Sequence, residues 1–517
     1  MRDAFEGTAI FGRSGSGKTS GSGAALAKSF LRAGIGGLVM CAKPDEADTW
    51  ERYAAETGRS ASIIRFNGDG HYRFNFLEYQ MQRDGLSADV LATEVVNTLQ
   101  TVMDVAGRAG GLEAASKGDE FWPKATRQLL LRAIDMLYAT TGRVRLAEPM
   151  DFIESAPTDR AMMQDEHWRN TSFFAQVYRD YYATGGGANP PAPQDIRRLD
   201  QFWRTSFPTC PDKTQGNILI TLQTDLEDLL WPKLRKIFST DTNVVPELTH
   251  DGAIILMDFP TLTWGNTGVL AQMIMKYLWM RAAQRREVQA HTRPLFLWAD
   301  ECQYFLSGED MTFQSTARSS RTATVLMTQN LPSFYSRIGG HRPEHTINAM
   351  MGNLRTKIFH QNDCMTTNEW AANLIGKTSV WRRSFGTNSG WNESHTSGSL
   401  HGGSITSSDG IASGTTSSFG YSNGGSSGQT GTNRGQNTSH SESEQNSINW
   451  GQSQGTSGGT NQGMQEQRDY AVEPQEFATD LLSGGPRNDN TVTGVVVLPG
   501  RSFERNGKHW MQIGFKQ

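Results

Sequence analysis

Cysteine is scarce. Four residues in 517 (Cys41, Cys210, Cys302 and Cys364) are widely spaced and form no C-x-x-C pair. That leaves neither a disulfide framework nor a thiolate zinc site, and suits a reducing compartment. No apolar run approaches the roughly 20 residues that span a bilayer. No secretory leader fits ahead of the first motif. Positive charge is not in excess either: the formal net charge is −4, so any nucleic-acid surface must be local, a channel or a ring pore. The expectation is a cytoplasmic chain, soluble or touching a membrane only through partners. Its length allows two or three domains, each with its own core.

Glycine and serine are plentiful, and near the start they are arranged. Gly12-Arg13-Ser14-Gly15-Ser16-Gly17-Lys18-Thr19 fits G-x-x-x-x-G-K-[ST], the phosphate-binding loop. Glycines let backbone N–H groups turn inward toward an anion. Gly12, Gly15, Ser16, Gly17 and Ser20 would cradle phosphates. Lys18 would reach the β- and γ-phosphates, and the Thr19 hydroxyl would hold Mg²⁺. Thr8 to Phe11 reads as a short buried strand, and Ser20 to Phe30 as the helix whose first amides complete the site.

The region to about Tyr79 alternates strand and helix, with further strands at Gly37–Cys41 and Ser62–Phe66. This pattern means a parallel sheet with crossovers. From Ala88 to Ile237 the pattern becomes helical. Leu129, Leu130, Leu131, Ile134 and Leu137 form one stripe, and Leu226, Leu229, Leu230 and Leu234 another. Strands then return at Ala253–Asp258, Leu295–Ala299, Ala323–Met327 and Leu354–Phe359, with a helix over Val269–Arg286. Ser384 to Gln467 is dominated by Ser, Gly, Thr, Asn and Gln. It cannot bury enough apolar surface to offset the entropy of ordering, so disorder is expected. Thr491–Leu498 reads as a strand. Arg501–Arg505 and Lys508–Ile513 flank an Asn506-Gly507 hairpin turn. The division is therefore residues 1–85 and 246–383 for the two halves of a nucleotide-binding domain, and 86–245 for a helical insertion. Residues 384–467 form a low-complexity loop, and 468–517 the closing strands.

A phosphate loop needs a carboxylate at the end of a nearby strand. Leu295–Ala299 runs into Asp300-Glu301. Asp300 is read as the metal-shell aspartate, and Glu301 as the group that polarises the attacking water. Met257-Asp258 is a rival, but Phe-Pro follows it, and a structural strand end is the preferred reading. Gln329 ends the next strand and could contact the γ-phosphate or its water. Arg318 and Arg321, between those strands, are candidate fingers for a neighbouring subunit. Lys43-Pro44-Asp45 is half of a guanine-reading N-K-x-D with Ala42 in place of Asn, which favours ATP over GTP. His341 and His345 are four apart, but Arg342 stands where a zincin needs glutamate and Pro343 disfavours the helix, so no metal is expected there.

With these motifs assembled, the chain resembles the conjugative coupling ATPases of the TraG/TraD type, within the FtsK/HerA-like motor superfamily. The segments that carry the resemblance are Asp300 to Phe305, Phe313 to Arg318, Val325 to Gln329, Gly352 to Ile358, Leu374-Ile375-Gly376 and Phe121-Trp122. The resemblance implies a RecA-like α/β P-loop fold with a mostly parallel sheet and an inserted all-helical domain. It implies ATP and Mg²⁺ as cofactors and a homo-hexameric ring. Such a ring drives single-stranded DNA, with its relaxase, into a type IV secretion channel at the cytoplasmic face of the bacterial inner membrane. Family members carry a membrane anchor ahead of the P-loop, and here eleven residues precede Gly12. The expectation is a separate anchor chain or work from the cytoplasm. Cys41-Ala42-Lys43-Pro44 also stands where Asp-x-Lys is common, which weakens a role for the end of the second strand. Two other functions fit the same motifs: a secretion ATPase that moves protein, and a nucleotide-gated docking platform.

Overall fold

Short apolar runs decide the architecture. Thr8–Phe11 (β1), Gly36–Met40 (β2), Leu295–Ala299 (β5) and Thr322–Thr328 (β6) are buried along their whole length. Strands with no solvent face belong in a parallel sheet covered by helices on both sides. In the computed structural model they lie in one, with Ile63–Asn67 (β3), Ile254–Asp258 (β4) and Thr356–Phe359 (β7). The structure describes residues 2–82, 88–109, 124–338, 342–396, 404–422, 425–443 and 451–517. Phe121, Trp122 and His341 lie outside them.

Four further strands follow in the chain: Lys377–Thr396 (β8), Ser404–Ser422 (β9), Gly425–Ser443 (β10) and Gly451–Tyr470 (β11). The chain closes with Thr491–Val497 (β12) and Trp510–Lys516 (β13). Among the described residues the main sheet has nine strands in the order β13-β12-β7-β1-β6-β5-β2-β4-β3. β1 to β7 are mutually parallel, and β12 and β13 add an antiparallel edge. The fold is thus the expected mostly parallel α/β sheet of a P-loop protein. Helices between β3 and β4, from Ala88–Ala109 to Pro232–Phe238, supply the expected helical stretch. In its stripes Leu129, Leu130, Ile134, Leu137, Leu226, Leu229 and Leu234 are buried.

Aromatic packing ties the sheet to its helices. Trp50, on helix Glu46–Glu56, stacks on Phe296 at 5.5 Å and meets Trp298 edge-on at 5.2 Å. Near the start of β2 glycine is needed for a separate reason: a Cβ on Gly37 would lie 2.5 Å from the carbonyl oxygen of Phe296, its partner on β5. The first turn after the P-loop is wide (Thr19–Gly23) and tightens into an α-helix at Ala24–Arg32. The helix expected from Val269 begins earlier, at Thr261, and is broken at Gly265, whose φ is 56°.

Two expectations are corrected. Residues 372–473 form a compact unit of their own, distinct from residues 1–371 and 474–517. Within it, the described parts of the low-complexity stretch are antiparallel strands, β8 with β11 and β9 with β10. Composition argues only against an apolar core. Main-chain hydrogen bonds in an antiparallel ladder are made whatever the side chains are, so this composition does not forbid the pairing. The second correction concerns Arg501–Arg505, which is an exposed connection rather than a strand. Asn506-Gly507 does turn, with Gly507 at φ 64°, but inside a long connection. The partner of β13 is β12, whose Val492, Val495 and Val497 are buried.

Candidate nucleotide-binding site

In a parallel sheet every strand delivers its C-terminal end to the same edge, and that edge is where ligands bind. The order β1-β6-β5-β2 therefore sets four loops side by side: the P-loop, Gln329, Asp300-Glu301 and Cys41–Lys43. Chain distance is erased. The Thr19 hydroxyl donates to Asp300 Oδ2 at 2.7 Å across 281 residues. Lys18 Nζ lies 3.8 Å from Glu301 Oε1, and both side chains are buried. Gln329 Nε2 donates to the same Glu301 oxygen at 3.4 Å, and Gln303 Nε2 donates to Glu301 Oε2 at 3.0 Å. Thr328 in turn donates to Gln303 Oε1. Glu301 adopts a left-handed φ of 43°, and its N–H donates to Asp300 Oδ1. Such a backbone costs on the order of 1–2 kcal/mol in a non-glycine residue, and here it aims two adjacent acids differently.

The P-loop is shaped for an anion. Gly15 and Gly17 have φ of 74° and 84°, and a Cβ on Gly17 would lie 2.4 Å from Val492. The Ser16 hydroxyl is buried with no hydrogen-bond partner. An orphaned donor in this loop is what a polyphosphate oxygen would satisfy. Among the described residues no group of three His, Cys, Asp or Glu side chains is placed to hold a metal ion. A hard divalent cation at Thr19 and Asp300 would thus depend on phosphate and water for its remaining ligands, as Mg²⁺ commonly does. Beside it lies a cleft of about 150 Å³ lined by Thr19, Lys43, Glu46, Trp50, Trp298 and Asp300.

The acids do not behave alike. Burial works to raise the Glu301 carboxyl, but Lys18, Gln303 and Lys43 outweigh it and hold the group below its ordinary value. It stays ionised. Glu46 is the opposite case: burial first, then the Asp300 charge, push it up to about 8. Lys43 sits among all three acids. Burial disfavours its charge, yet Asp300, Glu301 and Glu46 carry it up to about 12.

Two buried side chains brace the site from behind. Gln272 accepts from the Cys41 N–H at 2.9 Å and donates to the carbonyls of Cys41 and Phe259. His360, at the end of β7, bonds Ser22 on one ring nitrogen (2.7 Å) and the Thr493 carbonyl on the other (2.9 Å). The Thr493 carbonyl can only accept, so Nδ1 carries a proton, and burial favours the neutral ring, whose Nε2 accepts from Ser22. Burial, reinforced by the Lys18 charge, pushes it from 6.5 down to about 4. As pH falls through that window the unfolded chain takes up a proton that the folded chain refuses, so stability falls. We expect a loss of about 2–3 kcal/mol from this group. Denaturant titrations from pH 7 to pH 4 should show His360→Gln with a slope flatter by about one proton. An unchanged slope would remove the neutral-ring assignment.

The residues read from the sequence divide into those that meet and those that do not. Lys18, Thr19, Asp300, Glu301 and Gln329 converge. Ser20 is exposed and accepts from the Gln517 side chain at 2.6 Å, so it faces the C-terminus. Asp258 pairs with Arg65 at 2.7 Å, two strands from Asp300, which matches a structural strand end. Arg318 and Arg321 precede β6, at the edge of the sheet opposite the P-loop. Arg318 is 78% exposed and 3.5 Å from Glu6. Arg321 is tied to the carbonyls of Gln289 and Ala290. Lys43, Glu46, Gln303 and His360 also belong to the site, and no sequence motif marks them as such. Position was the available signal for Lys43, since it lies in the loop just past the buried strand β2, as Asp300 lies just past β5. Nothing local marks Gln303 or His360.

The site and fold define a P-loop nucleotide-binding protein. Residues 294–413 match the family described as the TraM recognition site of TraD and TraG. That segment begins at β5 and includes Asp300, Glu301 and Gln329. In fold the chain is similar to the bacterial conjugative coupling protein TrwBdeltaN70 in its unbound monoclinic form. Identity is 12% over 99% of this chain and 85% of that one, with a TM-score of 0.53. The trigonal form in complex with sulphate gives 12% identity over 100% and 86%, and the same TM-score. No curated protein matches the chain in sequence. The resemblance to TraG/TraD-type coupling proteins thus stands on both sequence segment and fold. No helix among the described residues is long and apolar enough to cross a membrane.

Proposed function

We propose that this chain is an ATP-hydrolysing coupling motor. It acts as a homo-hexameric ring at the cytoplasmic face of the inner membrane, reached through partners, and drives single-stranded DNA with its relaxase into a type IV secretion channel. One observation carries the reading: Thr19 and Lys18 meet Asp300 and Glu301 across some 280 residues. A mere nucleotide binder has no need of a second, ionised acid beside the metal-shell aspartate. The match to the TraM recognition segment supports the coupling role.

Bound Mg²⁺ would supply charge neutralisation on the phosphates. Lys18 and the loop amides bind and orient the triphosphate. Thr19 and Asp300 hold the cation. Glu301, kept ionised and held by Gln303 and Gln329, accepts the proton of the attacking water. Gln303 and Gln329 keep that carboxylate pointed the same way from one turnover to the next.

An ATPase assay with and without single-stranded DNA tests the motor. Stimulation by DNA supports it. Stimulation by a protein substrate alone favours protein secretion, and turnover no higher than that of Glu301→Gln favours a docking platform. Arg318 is the finger candidate that stays free to leave its own subunit. β1 and β6, with four and seven residues, put its end of the sheet roughly 13–23 Å from the P-loop edge, so it would serve a neighbour. Arg318→Ala should cut turnover by about 10³-fold with ATP affinity retained. Mixing it with Glu301→Gln subunits should restore part of the rate. No rescue, or normal turnover by Arg318→Ala, removes the assignment. Arg321→Ala is expected to act on stability instead.

A further inference from the structure

We propose that Lys43 is a second cation of the nucleotide site, one that discriminates triphosphate from diphosphate. The inference rests on the nucleotide-binding reading above and deepens it. Lys43 Nζ lies 3.2 Å from Glu301 Oε1, 3.6 Å from Asp300 Oδ2 and 3.9 Å from Glu46 Oε1. Lys18 approaches the same Glu301 oxygen at 3.8 Å. One carboxylate oxygen thus stands between two ammonium groups delivered by different strands, β1 and β2.

The loop that delivers Lys43 is not free to wander. Gln272 holds the N–H and the carbonyl of Cys41. The Ala42 N–H donates to Glu46 Oε2 at 2.7 Å, and the Ala42 carbonyl accepts from Thr261 at 3.1 Å. Only the side chain beyond this clamp can move. It is 37% exposed where Lys18 is 5% exposed, so its ammonium opens onto the cleft.

A loop clip is the simpler explanation of a lysine near Glu46. The distances argue against it, because the two nearest carboxylates belong to the acidic pair at the end of β5 and Glu46 is the farthest. Charge arithmetic then gives a role. Lys18 and Lys43 balance Asp300 and Glu301, two against two. A divalent cation on Asp300 tips this cluster positive, and phosphate charge restores the balance. The triphosphate brings more negative charge than the diphosphate, so it gains more from a second ammonium. Lys43 reaches the acidic pair from the β2 side and Lys18 from the β1 side. Removing Lys43 therefore costs the longer phosphate chain more than the shorter one.

Equilibrium binding of ADP and of a non-hydrolysable ATP analogue, both with Mg²⁺, tests this on the full-length chain. For Lys43→Met we expect the analogue's Kd to rise about tenfold and the ADP Kd to change by less than about twofold. These shifts correspond to about 1.4 kcal/mol and under about 0.4 kcal/mol. Lys43→Arg, which keeps the charge, should recover most of the loss. A purely structural lysine would weaken both nucleotides equally and lower the unfolding midpoint, and that pattern overturns the proposal. Lys18→Ala separates the two readings. If it binds both nucleotides like wild type, the nucleotide-site reading itself fails. If it loses both while Lys43→Met shows no selective effect, only the Lys43 proposal falls.

Discussion

Glu301→Gln is expected to lower steady-state ATP turnover by 10²- to 10⁴-fold, the usual contribution of a positioned general base, while ATP still binds. The substituted amide keeps the shape and one acceptor oxygen, so one of the two amides, Gln303 or Gln329, can still donate to it. It cannot accept a proton from water. It also removes one negative charge from between Lys18 and Lys43, which should leave ATP affinity unchanged or tighter. The predicted signature is therefore a split: kcat collapses and Kd for ATP does not rise. Rapid-quench hydrolysis and fluorescent-nucleotide titration read the two separately. Turnover within tenfold of wild type would show that Glu301 is not the base. A parallel loss of binding would show that it is a structural partner of Lys18.

The largest effect expected on stability lies behind the site. Lys276, on helix Thr261–Arg285, is fully buried and pairs with the equally buried Asp310. It also donates to the Phe305 carbonyl at 2.6 Å. Asp310 Oδ2 accepts from the Ser307 N–H and hydroxyl and completes the capping box of helix Gly308–Ala317. One ammonium thus joins the long helix, the segment just after Glu301 and the start of the next helix. Lys276→Met fits the space but leaves Asp310 buried beside Ser307 with no countercharge. Breaking a buried pair on one side costs about 3–5 kcal/mol, and chemical denaturation should report a loss of that size. Lys276→Met combined with Asp310→Leu should recover part of it, because replacing both members of a buried ion pair is often near neutral. A single-variant loss under about 1 kcal/mol would mean that water or relaxation satisfies Asp310.

The parallel sheet was legible because its signals are local. Buried strands read as short apolar runs, and the P-loop, the Asp300-Glu301 step and Gln329 each mark a strand end. What escaped is instructive. Lys43-Pro44-Asp45 matches only half of a guanine-reading motif, yet Lys43 reaches the acidic pair. A residue's neighbours in the chain carry no record of which strand will flank its own. The antiparallel β8–β11 and β9–β10 ladders escaped for another reason. Main-chain pairing leaves no periodic trace in a sequence of Ser, Gly and Thr.

By itself the sequence determined the strands of the parallel sheet, their class and the chemical types at the strand ends, because periodicity and turn chemistry act over a few residues. Only the tertiary structure decided that β6 separates β1 from β5 and that β2 borders β5 on the other side. That order brings Lys18 and Lys43 together on Glu301, leaves Asp258 with Arg65, and sends Arg318 to the far edge. Strand order arises from packing across hundreds of residues, and no short window of sequence contains it.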